Sequence, residues 1–176
     1  MKYWKNGFYD EPVESSVEIT DEYYNQLLAG QSAGLLIAES KGGYPILVVN
    51  EPTSKELREQ KLAELRTYDS SDAVNQFSIN NVYGWFSKST RVGLMNSINI
   101  ERGTGGTTTS IWIGDTKFDL SIERAIDILQ QLELYALACF DTTQEHTKAI
   151  QQLDTKEEIE AYDFKTGYPG KLSFAG

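Results

Sequence analysis

The stretch Ser121–Leu153 constrains the fold more than any other part of the chain. It contains neither proline nor glycine, and apolar residues recur in it at spacings of three and four: Ile122, Ala125, Ile126, Leu129, Leu132, Ala136, Cys139, Phe140, Ala149, Ile150 and Leu153. A period near 3.6 residues predicts one long amphipathic helix whose apolar side needs a covering layer. Read as heptads, Ile122, Leu129, Ala136, Thr143 and Ile150 share one seam position, and Ala125, Leu132, Cys139, His146 and Leu153 the other, which would suit a coiled coil. Ile126, Ile128, Tyr135 and Phe140 widen the stripe beyond a seam in the first half, so that half, to Phe140, is expected to be buried core. From Asp141 the stripe narrows and turns polar at Thr143 and His146, while Thr142 and Glu145 have the spacing of a capping box. A bend near residue 141, followed by a less buried arm that pairs with the last helix or a partner, is the expectation.

The remainder reads as short strands and shorter helices that can pack on this element, an α+β chain. Asn6-Gly7 between Tyr3-Trp4 and Phe8-Tyr9 is a hairpin signal, because both turn positions of the favoured two-residue turn need φ > 0. Residues 10–18 are acidic and contain Pro12, an extended connection. Thr20 caps a helix carrying Tyr23, Tyr24, Leu27 and Leu28, with Gly30 as its stop. Leu35–Ala38 and Pro45–Val49 follow as two strands around Lys41-Gly42-Gly43. Residues 1–52 therefore read as a small β-α-β module, ended at Asn50-Glu51-Pro52, and residues 53–176 as an α+β domain.

In that domain Thr53 and Glu56 have capping-box spacing ahead of a helix to about Arg66. Phe77–Tyr83 reads as a hairpin turned by Asn80-Asn81, and Ser87 or Ser89 caps a helix that ends at Gly103. Thr107–Ile113 and Thr116–Leu120 form a further hairpin around Gly114-Asp115, with Ser121 capping the long helix. Thr155 and Glu158 cap a last helix, and the tail through Tyr168-Pro169-Gly170 is extended. The two hairpins are expected to join in one antiparallel sheet, with the long helix on one face.

Little in the residues points to bond-making chemistry. Cys139 is the single cysteine and His146 the single histidine; seven residues apart on a helix they sit roughly 10 Å apart, too far for a nucleophile–base pair. Gly103-Thr104-Gly105-Gly106 lacks the Gly-Lys-Ser/Thr ending of a phosphate loop. Glu157, Glu158, Glu160 and Asp163 lack the alternation and central glycine of a calcium loop. No catalytic residue, metal site or cofactor is expected. A net charge of −10 disfavours nucleic acid, whose binding rests on neutralising phosphates with Lys and Arg. No apolar run approaches the roughly 20 residues of a membrane span, and the N-terminus does not read as a signal peptide. The candidate interaction surface is aromatic: Tyr3, Trp4, Phe8 and Tyr9 on the hairpin, with Tyr23 and Tyr24 on the helix that follows.

Ile19-Thr20-Asp21-Glu22-Tyr23, Leu27-Leu28-Ala29-Gly30-Gln31-Ser32 and Gly43-Tyr44-Pro45-Ile46-Leu47-Val48, in this order, resemble the N-terminal part of tail-fibre and tail-fibre-assembly proteins of tailed phages and prophages. From about Lys61 the chain resembles a domain of unknown function that accompanies such genes in Bacteroides-type phages and prophages. The matching residues are Phe77-Ser78-Ile79-Asn80, Trp85, Thr90-Arg91-Val92, Leu134-Tyr135-Ala136, Thr143 with His146, Glu160-Ala161-Tyr162-Asp163 and Gly167-Tyr168-Pro169. The resemblance implies a non-enzymatic tail component or assembly factor that acts by protein–protein contact. Its partner would be a tail fibre or another tail protein, with a homo-oligomer as a further arrangement. Its place would be the cytoplasm of the bacterial host during assembly, or the virion tail. The alternative is a carbohydrate- or receptor-binding module of a phage tail that uses exposed aromatics such as Trp4 or Trp85.

Overall fold

The computed structural model describes residues 1–175. The chain divides into two compact units, Met1–Pro52 and Thr53–Gly176.

In the first unit, β1 (Lys2–Trp4) is the centre of a three-stranded antiparallel sheet between β2 (Phe8–Tyr9) and β3 (Val17–Ile19). The connection after Trp4 differs from the two-residue turn expected. Asn6 alone is left-handed, at φ 54°, and the Lys5 N–H donates to the Gly7 carbonyl at 3.0 Å, so the loop takes three residues. The supposed connection at 10–18 likewise ends in a strand, because Val17 and Ile19 offer two apolar positions two apart that face inward. Helix α1 (Asp21–Ser32) starts as expected, the Thr20 hydroxyl accepting from the Tyr23 N–H at 3.1 Å. It runs past Gly30, whose role is different from a stop. A Cβ there would lie 2.3 Å from Leu47 Cδ1, so the missing side chain lets β5 approach the helix; the left-handed glycine after the helix is Gly34, at φ 94°. The unit closes with an antiparallel hairpin of β4 (Leu36–Glu39) and β5 (Pro45–Val48).

The second unit is built on four helices and two small sheets. Helix α2 (Ser54–Asp69) opens with a complete capping box: the Thr53 N–H donates to Glu56 Oε2 at 2.7 Å and the Glu56 N–H to Thr53 Oγ1 at 3.2 Å. These bonds to the charged form hold the Glu56 carboxyl below its ordinary range. Strands β6 (Phe77–Ile79) and β7 (Val82–Gly84) flank Asn80 and Asn81, left-handed at φ 48° and 65°, as a primed two-residue turn requires. Helix α3 (Lys88–Gly103) is capped by Ser87. Strands β8 (Thr108–Ile113) and β9 (Thr116–Ser121) turn at Gly114, φ 55°. Ser121 ends β9 and caps α4 (Ile122–Gln152), so strand passes into helix with no loop between them. Helix α5 (Lys156–Ala161) carries the Thr155–Glu158 box, and β10 (Leu172–Phe174) completes the fold.

The two hairpins do not share a sheet. Residues Leu172–Phe174 pair in parallel with β6, giving the order β10-β6-β7, and β8-β9 stays a separate ribbon. The hairpins meet through packing instead. A Cβ on Gly84 would lie 2.4 Å from Cγ2 of the buried Ile113, a β-branched side chain with little rotameric freedom. Gly84→Ala should therefore cost about 1–3 kcal/mol, read as a lower urea midpoint at unchanged slope.

Helix α4 is one unbroken element of 31 residues. The expected capping box at 142–145 does not form, because the Thr142 hydroxyl bonds back to the Ala138 carbonyl at 3.0 Å within the helix. Burial also runs differently from the expected buried half and less buried arm. Ile122, Ala125, Ile128, Leu129 and Leu132 form the main core with Phe77, Ile79, Phe86, Ile111 and Phe174. Phe140, expected inside, is 57 % exposed, whereas Ile150 in the supposed arm is fully buried against Leu65 and Phe164.

Candidate interaction surfaces

The aromatic set at the N-terminus separates into two faces. Trp4 and Phe8 stand opposite each other in the β1–β2 register, and so do Tyr3 and Tyr9. Alternation puts the first pair on the α1 side. There Phe8 packs edge-on between Trp4 and Tyr24, with centroids 4.9 and 4.7 Å away, and Lys2 Nζ lies 5.5 Å from the Tyr24 ring centre. Trp4 is buried, its indole Nε1 without a hydrogen-bond partner. Tyr23 is tied down as well, its hydroxyl donating to the Pro45 carbonyl at 2.7 Å. Trp4 is thus core rather than contact surface, and Phe8, Tyr23 and Tyr24 serve the unit's own packing. Tyr3 and the exposed Tyr9 remain on the outward face, in a row with Glu18.

A more apolar surface lies on the β4–β5 hairpin. Register places Leu36 opposite Val48 and Ala38 opposite Ile46 on one face, and Ile37 opposite Leu47 on the other. Leu47 meets α1 at Gly30, so the second face is the inner one. The outer face carries four aliphatic side chains and no polar one. Leu36 is 47 % and Ile46 38 % exposed, with Tyr44 and Val49 open beside them. A two-stranded hairpin with one wet face normally alternates apolar and polar residues. This one is written for burial on both faces.

The second unit has its own open apolar strip, along α3 and α4. A cleft of about 660 Å³ is lined by Val92, Met95, Asn99, Leu129, Gln130 and Leu134 among others, and one of about 360 Å³ continues past Lys88, Leu137 and Phe140. Arg91 and Glu133 line both. Arg91 is buried and held on two sides: Nε donates to Glu133 Oε2 at 2.7 Å, Nη1 to the Phe86 carbonyl at 2.6 Å, and the guanidinium lies 5.3 Å from the Trp85 ring centre. The Trp85 ring is therefore already stacked, and Trp112, 56 % exposed, is the outward tryptophan of this unit.

His146 sits in a polar seam that fastens the tail to α4. Its Nε2 is 2.9 Å from the Thr166 carbonyl, which can only accept, so Nε2 carries a proton, and Nδ1 shares a hydrogen bond of 2.8 Å with the Tyr162 hydroxyl. One turn earlier Thr143 donates to Asp69 Oδ1 at 2.7 Å and accepts from the Tyr168 hydroxyl at 2.9 Å. Thr143, His146, Tyr162 and Tyr168, scattered in sequence, converge here on a structural task. Cys139 lies beside Tyr135, whose hydroxyl donates to the Val74 carbonyl at 2.7 Å. Burial pushes the Cys139 thiol up and the Tyr135 phenol well above its ordinary value, so both stay protonated at neutral pH.

Among the described residues no group of three or more His, Cys, Asp or Glu side chains could hold a metal ion, and no helix is long and apolar enough to cross a membrane. No protein-family model matches the chain, and no curated protein or solved structure is significantly similar to it.

Proposed function

We propose that this protein works by protein–protein contact, as a component or assembly factor of a phage tail, and docks on a tail fibre through the Met1–Pro52 unit. The observation that carries the contact is the all-aliphatic outer face of β4–β5. Leu36 and Ile46 are already more than half covered, so burying the rest of each on a partner contributes about 1 kcal/mol. Both hairpin edges are also unpaired within the sheet, which offers a partner strand backbone donors and acceptors. The tail context rests on the sequence resemblance of residues 19–48. The test is co-purification of the 176-residue chain with a tail-fibre subunit from the same genome. The wild type should co-elute with the fibre, and Leu36→Asp/Ile46→Asp should lose about tenfold or more of the retained fibre. Equal retention by the double variant would remove β4–β5 as the docking face, and no association of the wild type would remove the tail reading.

A further inference from the structure

The two edges of the β4–β5 hairpin differ in what they offer a partner. The Ser40 N–H donates to the Tyr44 carbonyl at 2.8 Å, so this pair bonds across the ribbon. In an antiparallel ladder bonded and non-bonded pairs alternate, so Ala38 with Ile46 and Leu36 with Val48 also bond inward. The pairs between them, Glu39 with Pro45 and Ile37 with Leu47, turn their N–H and C=O groups outward, to the two edges.

On the β5 edge most of those groups are already taken. Pro45 has no N–H, and its carbonyl accepts from the Tyr23 hydroxyl at 2.7 Å. Past the other end of the strand, the Val49 carbonyl accepts from the Glu51 N–H at 3.0 Å. Only Leu47 keeps both outward groups. On the β4 side the Leu35 N–H is held by the Gly30 carbonyl at 3.0 Å, but the outward N–H and C=O of Ile37 and Glu39 have no partner among the described residues. Four free groups thus repeat at the two-residue spacing of a strand, a pattern that extended backbone matches and a helix does not.

On the premise that a tail fibre docks at β4–β5, we propose that it contributes one extended segment, which joins β4 as a third strand of the hairpin sheet. Alternation then sets the side chains of that segment. The residue opposite Ala38 lies on the outer face, where Ala38 is the smallest of the four aliphatic side chains and leaves room for a large apolar one. The residue opposite Glu39 lies on the other face. Glu39 is exposed and has no ion-pair partner among the described residues, so Lys or Arg fits there.

The test is co-purification of the 176-residue chain with the same tail-fibre subunit, using two substitutions at one position. Glu39→Pro removes an outward N–H and no bond within the hairpin, whereas Glu39→Ala removes the charge and keeps the N–H. Glu39→Pro should lower the retained fibre about tenfold or more, and Glu39→Ala about threefold or less. Should the proline disturb the hairpin itself, amide exchange on the wild-type complex gives the same answer. The Ile37 and Glu39 amides should slow about tenfold or more when the fibre is bound, and the Leu47 amide should not change. Full retention by Glu39→Pro, or fast exchange at Ile37 and Glu39 in the complex, would overturn the added strand. If Leu36→Asp/Ile46→Asp still releases the fibre, the docking face survives that result. No association of the wild type would remove the docking face and the strand together. A wild-type dimer in sedimentation that Glu39→Pro makes monomeric would give the β4 edge to a second copy and overturn the proposal as well.

Discussion

A chain ended after Pro169 should lose the cooperative unfolding transition of the Thr53–Gly176 unit. The cut removes β10 and with it the parallel ladder that completes β6, from Leu172 opposite Phe77 to Phe174 opposite Ile79. It strips the buried Phe174 from the Phe77 and Phe86 cluster, along with the half-buried Leu172. The Asn80 N–H loses the Phe174 carbonyl, a bond of 2.9 Å, and Arg124 Nη2 loses the Ala175 carbonyl at 2.8 Å. At about 1.5–3 kcal/mol for a large buried side chain and about 1 kcal/mol for each lost hydrogen bond, the total is about 5 kcal/mol or more. That is of the size of a whole domain's stability, about 5–15 kcal/mol. Near-UV circular dichroism through a thermal scan checks it. A sharp transition within a few degrees of the wild type would show that β10 is peripheral. Phe174→Ala alone should cost about 3–5 kcal/mol, since a cavity is left beside Phe77.

The second large effect contrasts two leucines in one helix. Leu132 is fully buried in the main core, and Leu134, two residues on, is 67 % exposed. Leu132→Ala should cost about 2–5 kcal/mol, and Leu134→Ala no more than about 0.5 kcal/mol. Chemical denaturation of both variants measures the difference. A comparable loss at both positions would mean that the exposed strip on α4 is covered in solution.

Local chemistry was the legible part of this fold. A cap needs only one hydroxyl and the next few backbone N–H groups, so Thr20, Thr53, Ser121 and Thr155 start their helices where the sequence puts them. Asn80-Asn81 and Gly114 take the left-handed geometry that their turns demand. Pairings between distant segments were not legible. Leu172-Ser173-Phe174 alternates like a strand, but three residues do not say which edge they join or in which direction. Apolar periodicity failed over residues 132–140, where Leu132, Leu134, Tyr135, Leu137, Cys139 and Phe140 leave hardly any polar side to orient the helix; Tyr135 and Cys139 face inward and Phe140 outward. Gly30 shows a related ambiguity, because a helix stop and a close approach both call for a missing Cβ.

The same reasons governed the candidate surfaces. Aromatic residues near the N-terminus marked a place where something packs, and much of that packing turned out to be internal. The better signal was in Leu35–Ala38 and Pro45–Val49, apolar runs without the alternation that a one-sided hairpin needs. Reading those runs by face would have singled out Leu36 and Ile46. The α3–α4 cleft left no mark in the sequence, since it depends on Arg91 and Glu133 meeting 42 residues apart.

The parallel seat of β10 against β6 has a consequence for synthesis on the ribosome. Ser78 and Ser173 share a hydrogen bond across 95 residues, so the middle strand of that sheet waits for Leu172–Phe174 before it has both neighbours. The Met1–Pro52 unit is out of the exit tunnel long before that, by on the order of ten seconds at ordinary elongation rates. Its aliphatic face is thus on offer while the second unit is still an open chain, and a partner present at translation could be engaged before the protein that carries it has finished folding.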